Sequence, residues 1–201
     1  KPVALDIYDA KGLALGIIER ALGRVASVRG LAASELSGLW HPRMTGAVLL
    51  GAVRVGTVGA LHPRVEKELD LAPGALVIEL DLDALDGVGV QQPRFSPIPT
   101  LPASTRDLAV VVHDDVLAGQ VEAAIREAGG DLLEAVELFD LFRGGSVRPE
   151  HRSLAFHLTY RDPLASRDPD KARTLTDAEV DARHKAVLDA VSARFGAELR
   201  A

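Results

Sequence analysis

The sequence predicts an α+β protein made of two domains, and three observations lead to this fold class. After residue 102, the apolar residues follow strand and helix periods in the order β-α-β-β-α-β. Before them, Pro93, Pro97, Pro99 and Pro102 fall within ten residues, which excludes both a helix and a central strand. Residues 1–90 carry weaker helix and strand patterns. We therefore predict a first domain at residues 1–92 and a second at residues 93–201.

The first domain has the less regular pattern. We predict a helix at Gly12–Leu22, two strands within Gly46–Gly59 that turn near Gly51-Ala52, and a strand at Leu76–Asp81. Pro63–Leu69 is predicted to be a short helix, because proline is favoured at the first helical position. The first helix is expected to bury Leu13, Ile17, Ala21 and Leu22. Three strands and two helices do not easily enclose a core, so we expect other elements or further sequence to complete it.

The chain is expected to be a piece of a longer protein. It opens without a methionine and enters patterned sequence almost at once. This suggests a boundary inside a longer chain.

Clear signals mark the first elements of the second domain. Leu108, Val110 and Val112 form one face of a first strand. A helix then repeats apolar residues at helical spacing and stops at Gly129-Gly130; the repeating residues are Val121, Ala124, Ile125 and Ala128. A second strand is predicted over Leu132–Phe142, without clean alternation. A third strand alternates regularly, with Leu154, Phe156, Leu158 and Tyr160 on one face.

A capping box predicts where the last helix begins. Thr176 is the expected N-cap, since Glu179 follows three residues later. The helix carries one apolar stripe, made of Val180, Val187, Leu188, Val191 and Phe195. Gly196 ends the helix, and Ala197–Arg200 is a last short strand. The complete order βαββαβ is the ferredoxin-like arrangement, a four-stranded antiparallel sheet with both helices on one face and the other face open.

Composition limits the possible functions. The absence of cysteine excludes disulfides and thiolate metal sites, and it fits a reducing cytoplasm. No apolar run reaches the roughly 20 residues of a membrane span. A net charge of −6 argues against sequence-blind nucleic-acid binding. Between Phe142 and Arg173, however, seven basic residues outnumber four acidic ones, which indicates either a nucleic-acid-binding patch or a solvated arginine-rich loop region.

Aromatic and basic side chains near strands two and three are candidates for RNA binding. Unstacked bases stack on rings or guanidinium planes presented by an open sheet. Phe156 shares the face of Leu154 and is expected in the core. Tyr160 alternates onto the same face, so its ring would be exposed only if the end of the strand were frayed. Phe139 and Phe142 are either core residues or exposed rings. Arg106, at the start of strand one, would face a phosphate or form a salt bridge in the neighbourhood of Asp107. The candidate RNA-binding residues are Arg106, Phe139, Phe142, Arg143, His157, Tyr160 and Arg161.

Several segments carry a family resemblance. In the second domain these are Arg106–Val112, Leu138–Gly144, Arg152–Phe156, Thr174–Val180 and Gly196–Arg200. In this order and spacing they resemble the C-terminal anticodon-binding domain of bacterial phenylalanyl-tRNA synthetase beta subunits. Phe142 stands where that family usually has a tyrosine.

The first domain is similar to the end of the same subunit's class II synthetase-like core. The similar segments are Asp6–Gly12, Trp40–Pro42 and Val55–Pro63, and Arg43 stands where the family usually has a glycine. The resemblance implies a partial, antiparallel α+β domain of the class II type. In the family this core is not catalytic, and it packs against the catalytic alpha subunit.

No catalytic, metal or cofactor site is predicted in this chain. Activation of an amino acid needs arginines that clamp ATP phosphates and acidic residues that hold Mg²⁺, and residues 1–90 show no convincing set. His41 and His62 each precede a proline and lack an acidic partner pattern, so they are more often turn or core residues than ligands. Asp6 and Asp9 lie just before a helix, where acidic residues are favoured.

The resemblance implies a function for each domain. The second domain would bind the anticodon stem-loop of tRNA-Phe, with arginines on phosphates and a ring stacked on a base. The first would contribute to an interface within an alpha-beta heterotetramer. The complete enzyme, phenylalanine–tRNA ligase, is cytoplasmic and uses ATP and Mg²⁺. The alternative is a non-catalytic structural or regulatory module, since ferredoxin-like domains also pair sheets and the acidic balance suits protein partners.

Overall fold

The computed structural model describes residues 4–93, 95 and 97–200. The chain divides into two compact units, Lys1–Arg94 and Phe95–Ala201. We propose that these units are the two domains expected over residues 1–92 and 93–201. Residues 89–103 contain neither helix nor strand where they are described, as the proline spacing predicts. None of the described helices is long and apolar enough to cross a membrane.

The first unit contains a four-stranded antiparallel sheet and three helices. The strand order is β1-β2-β3-β4, formed by Ser27–Gly30, Trp40–Leu50, Val53–Leu61 and Leu76–Leu80. The helices are α1 (Ile7–Leu22), α2 (Pro63–Glu68) and α3 (Leu82–Val88). The structure confirms the two strands joined at Gly51-Ala52, the proline-initiated helix and the strand at Leu76.

Strand β1 and helix α3 were not predicted from the sequence, and they help to complete the core of this unit. Strand β1 has four residues, too few to show alternation. Helix α3 has seven residues, and its main signal is Asp81, whose side chain accepts a hydrogen bond from the Ala84 amide at 2.9 Å. Residues of α3 pack against the apolar core that α1 and the sheet share.

The predicted inward face of α1 is wrong for three of its four residues. Leu13, Ile17 and Ala21 are exposed, and only Leu22 is buried as expected. The buried stripe is offset by one position and consists of Ala10, Ala14, Ile18 and Leu22. Both stripes fit the helical period, so the sequence pattern alone does not distinguish them. The helix also begins five residues earlier than predicted, at Ile7, because Asp6 and Asp9 form a capping box.

Gly56 marks a close approach of two strands in the first unit. A methyl group added there would lie 2.3 Å from the backbone oxygen of Glu79 on β4, so Gly56→Ala is expected to destabilise the protein by about 1–3 kcal/mol. Gly12→Ala is the control, since nothing lies within 4 Å of its added methyl group. That helical substitution is expected to stabilise by about 0.5–1 kcal/mol.

Both variants can be compared by urea unfolding followed through the fluorescence of Trp40, the single tryptophan of the sequence, which is buried in this unit. Equal stability of the Gly56→Ala and unsubstituted proteins would contradict the close approach.

The second unit has the predicted βαββαβ order. Its strands are β5 (Ser104–His113), β6 (Leu133–Phe142), β7 (His151–Tyr160) and β8 (Glu198–Leu199), and its helices are α4 (Ala118–Gly129) and α5 (Asp177–Phe195). All pairings in the sheet are antiparallel, and the strand order is β6-β7-β5-β8. The capping box at Thr176 and Glu179 is confirmed. The ferredoxin-like prediction is therefore confirmed.

The helices cover one face of this sheet and form the core of the unit with it. The core contains the three predicted residues of β5, the predicted face of β7 and the inward residues of both helices. Phe156 and Tyr160 are its two largest fully buried side chains. We call the opposite sheet face the open face.

The open face is covered at one end by the chain itself, which the sequence did not predict. Val147, in the loop between β6 and β7, is buried, and Ser153 is also buried although its register partners Val111 and Phe142 place it on the open face. The guanidinium carbon of Arg200 lies 4.7 Å from the centre of the Phe142 ring. The other end, around Asp107, His157 and Phe139, remains exposed.

Candidate nucleic-acid interface

A β-bulge in strand β6 determines which of its side chains reach the open face. Leu138 pairs with Phe156 and Asp140 pairs with Ala155, so β6 has one extra residue, Phe139, at this point. The extra residue reverses the alternation that follows it. Phe139, Asp140 and Phe142 therefore all lie on the open face, whereas the neighbouring leucines lie on the helix side. This bulge explains why the sequence of β6 shows no clean alternation.

The exposed end of the open face carries a fixed pair of stacked rings. Phe139 and His157 stack with their centroids 3.9 Å apart and an angle of 13° between their planes. The Asp107 carboxylate accepts a hydrogen bond from His157 Nδ1 at 2.5 Å, which holds the imidazole in place. Phe139 keeps 48% of its surface exposed. We call Asp107, His157 and Phe139 the ring platform.

Phe142 lies at the covered end of the same face. Its ring is 37% exposed and is approached by Arg200 from the far edge of the sheet. A methyl group added to Gly145 would lie 3.4 Å from this ring, so the loop after β6 also touches it. Phe142 therefore presents only part of its ring to solvent.

The three predicted arginines are held by carboxylates. Arg143 pairs with Asp114 at 3.2 Å, and Arg161 pairs with Glu134 at 2.9 Å. Arg161 also donates to the backbone oxygen of Leu101, and its side chain is only 19% exposed. Of the two, Arg143 keeps the more accessible side chain, at 55%.

Arg106 lies on the helix side of the sheet and not on the open face. Its guanidinium donates to Asp181 at 2.9 Å and to Asp177 at 3.1 Å, both on α5. The hydrogen bond with Asp181, followed by that with Asp177, raises the pKa of Arg106 above its usual value. Of its two predicted roles, the salt bridge is the one seen, although its partners come from α5 and not from the neighbourhood of Asp107.

Tyr160 is a core residue, so it has no exposed ring on which a base can stack. Its side chain is fully buried, and its hydroxyl lies 3.3 Å from His184 Nδ1 on α5. Burial raises the pKa of Tyr160 to about 12. It likewise lowers the pKa of His184 below its usual value. The strand end is not frayed at Tyr160, because Tyr160 still pairs with Ser104 and Leu133.

The remaining charges on the open face are mainly acidic. Asp107 belongs to the ring platform itself, and strand register places Glu137 and Asp140 beside the platform and Glu198 at the opposite edge. These carboxylates disfavour phosphate close to the platform. The exposed end of the face therefore suits the flat, uncharged surface of a base better than a sugar-phosphate chain.

The two histidines of the first unit, His41 and His62, accept hydrogen bonds from nearby backbone amides. His62 caps α2 by accepting from the Arg64 amide at 3.1 Å, and His41 accepts from the Arg43 amide at 3.2 Å. Across residues 4–93, 95 and 97–200, no group of three or more histidine and acidic side chains is placed to hold a metal ion.

Comparison with known proteins gives matches over both units. Residues 99–200 match the family described as "Ferredoxin-fold anticodon binding domain", and residues 1–82 match "Phenylalanyl tRNA synthetase beta chain CLM domain". The phenylalanine–tRNA ligase beta subunit of a Bacillus cereus strain is 40% identical over 98% of this chain, and that of Geobacillus kaustophilus is 41% identical over 98%. The beta subunit of Trichormus variabilis is 37% identical over 100% of the chain. The chain spans 23–24% of the length of these relatives.

Proposed function

Since this chain belongs to the ferredoxin-fold anticodon-binding domain family and is homologous to phenylalanine–tRNA ligase beta subunits, we propose that its second unit binds the anticodon stem-loop of tRNA-Phe. The complete enzyme would join phenylalanine to this tRNA in the cytoplasm, using ATP and Mg²⁺. We assign both ATP and Mg²⁺ to other parts of the enzyme, because the resemblance of the first unit is to a core without a catalytic role. This chain would position the RNA without taking part in the chemistry.

The ring platform is the observation that supports this proposal most directly. A base that has left its stack can lie on Phe139, whose ring is exposed and is already held by His157. Because the hydrogen bond from His157 to Asp107 fixes the support, little side-chain freedom is lost on binding. Arg143, beside the same strand, is the predicted arginine best placed to reach a phosphate.

The proposal can be tested by fluorescence anisotropy of the labelled anticodon stem-loop at constant low salt. The 201-residue chain is expected to bind the tRNA-Phe stem-loop more tightly than a stem-loop of the same length with a changed anticodon. Equal affinity for the two, or no binding of either, would favour the structural or regulatory module instead.

For the first unit, we propose an interface with the catalytic alpha subunit in an alpha-beta heterotetramer. Leu13 and Ile17 lie one turn apart on the surface of α1 that does not face the sheet, and they are exposed by 59% and 42%. Leu5, just before the helix, is also exposed. Exposed apolar side chains grouped on one helix surface are typical of contact with a protein partner.

Leu13→Glu tests this interface. The substitution is expected to change stability by less than about 0.5 kcal/mol, because Leu13 is 59% exposed, yet to weaken assembly with the alpha subunit. The measurement is the fraction of complex recovered by size-exclusion chromatography when the complete beta subunit carries the change. Glu19→Arg, at an exposed position on another side of α1, is the control. Assembly that is unaffected by Leu13→Glu would place the interface elsewhere.

A further inference from the structure

Arg200 holds an unusual position on the open face. Its amide donates to the Ala109 oxygen at 2.9 Å, which places Arg200 next to β5 at the β8 edge of the sheet. Its guanidinium reaches back across the face to the Phe142 ring. In the part of the chain that the structure describes, no side-chain carboxylate pairs with Arg200, whereas Arg143 and Arg161 are both paired. The N–H groups of Arg200 are therefore available to an acceptor from outside.

A cavity beside Arg200 has the size and lining for a small anionic group. It encloses about 310 Å³ and is lined by Ser146, Arg148, Glu198 and Arg200, together with apolar side chains. Arg148 pairs with Glu198 at 3.1 Å, so these two charges largely cancel. The net positive charge of the cavity thus comes from Arg200, and Ser146 adds a hydroxyl donor.

The two ends of the open face differ in charge. The ring platform contains Asp107 and has Glu137 and Asp140 beside it, and an RNA phosphate close to these carboxylates would be repelled. Arg200, which lines the cavity and reaches the Phe142 ring, has a guanidinium without a carboxylate partner among the described residues. An RNA strand lying on this face would therefore keep its phosphate near Arg200 and direct its bases toward the ring platform.

We propose that Arg200, with Ser146 and Arg148, forms a phosphodiester-binding site that fixes the position of a single RNA strand on the open face. This inference rests on the proposed function of the second unit. The guanidinium lies over the Phe142 ring, and its planar set of N–H groups can donate to a phosphate, a geometry that arginine provides and lysine does not. The phosphate at this site sets the register in which the next base reaches the rings.

Salt dependence of binding tests this site, because each phosphate contact to a single strand contributes about 0.7 to the slope of log K against log salt concentration. Arg200→Gln is expected to reduce the slope for the tRNA-Phe stem-loop by about 0.7. Glu198→Gln frees Arg148 and is expected to make the slope steeper. Arg194→Gln is the matched control, since Arg194 pairs with Glu127 among the helices and not on the open face.

Each outcome has a defined meaning. Selective binding by the unsubstituted chain with an unchanged slope in Arg200→Gln would overturn the phosphate site and leave the proposed function intact. The same loss of slope in Arg194→Gln as in Arg200→Gln would also overturn it, because the effect would then reflect overall charge. Failure of the unsubstituted chain to distinguish the two stem-loops would overturn both proposals. A thermal unfolding midpoint for Arg200→Gln equal to that of the unsubstituted chain is expected.

Discussion

Replacement of Phe139 by alanine is expected to weaken binding of the tRNA-Phe anticodon stem-loop by roughly 5- to 150-fold, because a stacked base contributes about 1–3 kcal/mol. Phe139 is the exposed ring of the platform, and the alanine variant leaves only the edge of the sheet and His157 beneath the base. The fold should be retained, since Phe139 is the extra residue of a bulge and lies outside the core. Anisotropy titrations at one fixed salt concentration measure the effect.

Leu138→Ala is the matched control for Phe139→Ala. Leu138 precedes Phe139 in the same strand and has a comparable exposure of 39%, but it lies on the helix side of the sheet. Its substitution should leave RNA affinity nearly unchanged. Equal losses in the two variants would show that the strand, and not the ring, matters for binding, and the stacking role of Phe139 would be rejected.

The fold of the second unit could be predicted because its signals are local. The alternation in β7, the glycines after α4 and the capping box of Thr176 and Glu179 each lie within a few residues. The bulge in β6 has no such signal, because it appears only when β6 is aligned with β7. For this reason, the sequence left open whether Phe139 and Phe142 are core residues.

The local excess of positive charge between Phe142 and Arg173 is largely offset in the folded chain. Four of the seven basic residues between Phe142 and Arg173 pair with carboxylates from outside that stretch. These pairs are Arg143 with Asp114, Arg148 with Glu198, Arg161 with Glu134, and Arg173 with Glu179. A count along the sequence does not include acidic residues that the fold brings from other strands and helices. Arg200 lies outside the counted stretch. On the open face, its guanidinium has no carboxylate partner among the described residues.

The α1 surface illustrates a different limit of sequence patterns. Leu13 and Ile17 directly precede Ala14 and Ile18, so two apolar stripes run side by side along one helix. The predicted inward face includes Leu13 and Ile17, whereas the sheet packs against the stripe that contains Ala10 and Ala14. A helix that is apolar over two adjacent stripes has a second surface available for a partner, and this surface is the one proposed to contact the alpha subunit.

Phe156→Ala is expected to have the largest effect on stability, lowering the free energy of unfolding of the second unit by about 3–5 kcal/mol. Phe156 lies in the middle of β7, fully buried, with Leu108 and Leu138 as its neighbours in the adjacent strands. Removal of its ring leaves a cavity between the sheet and both helices, which the neighbouring side chains fill only in part. Urea unfolding followed by far-UV circular dichroism measures the loss.

Phe95→Ala provides the control for Phe156→Ala with the same chemical change. Phe95 is 91% exposed and lies in the segment without helix or strand before β5, so its loss should change stability by less than about 0.5 kcal/mol. If both variants unfold at the same urea concentration, the sheet and helices of the second unit do not pack around Phe156. RNA binding by Phe156→Ala should fall in proportion to the unfolded fraction, because the ring platform exists only when β6 and β7 are paired.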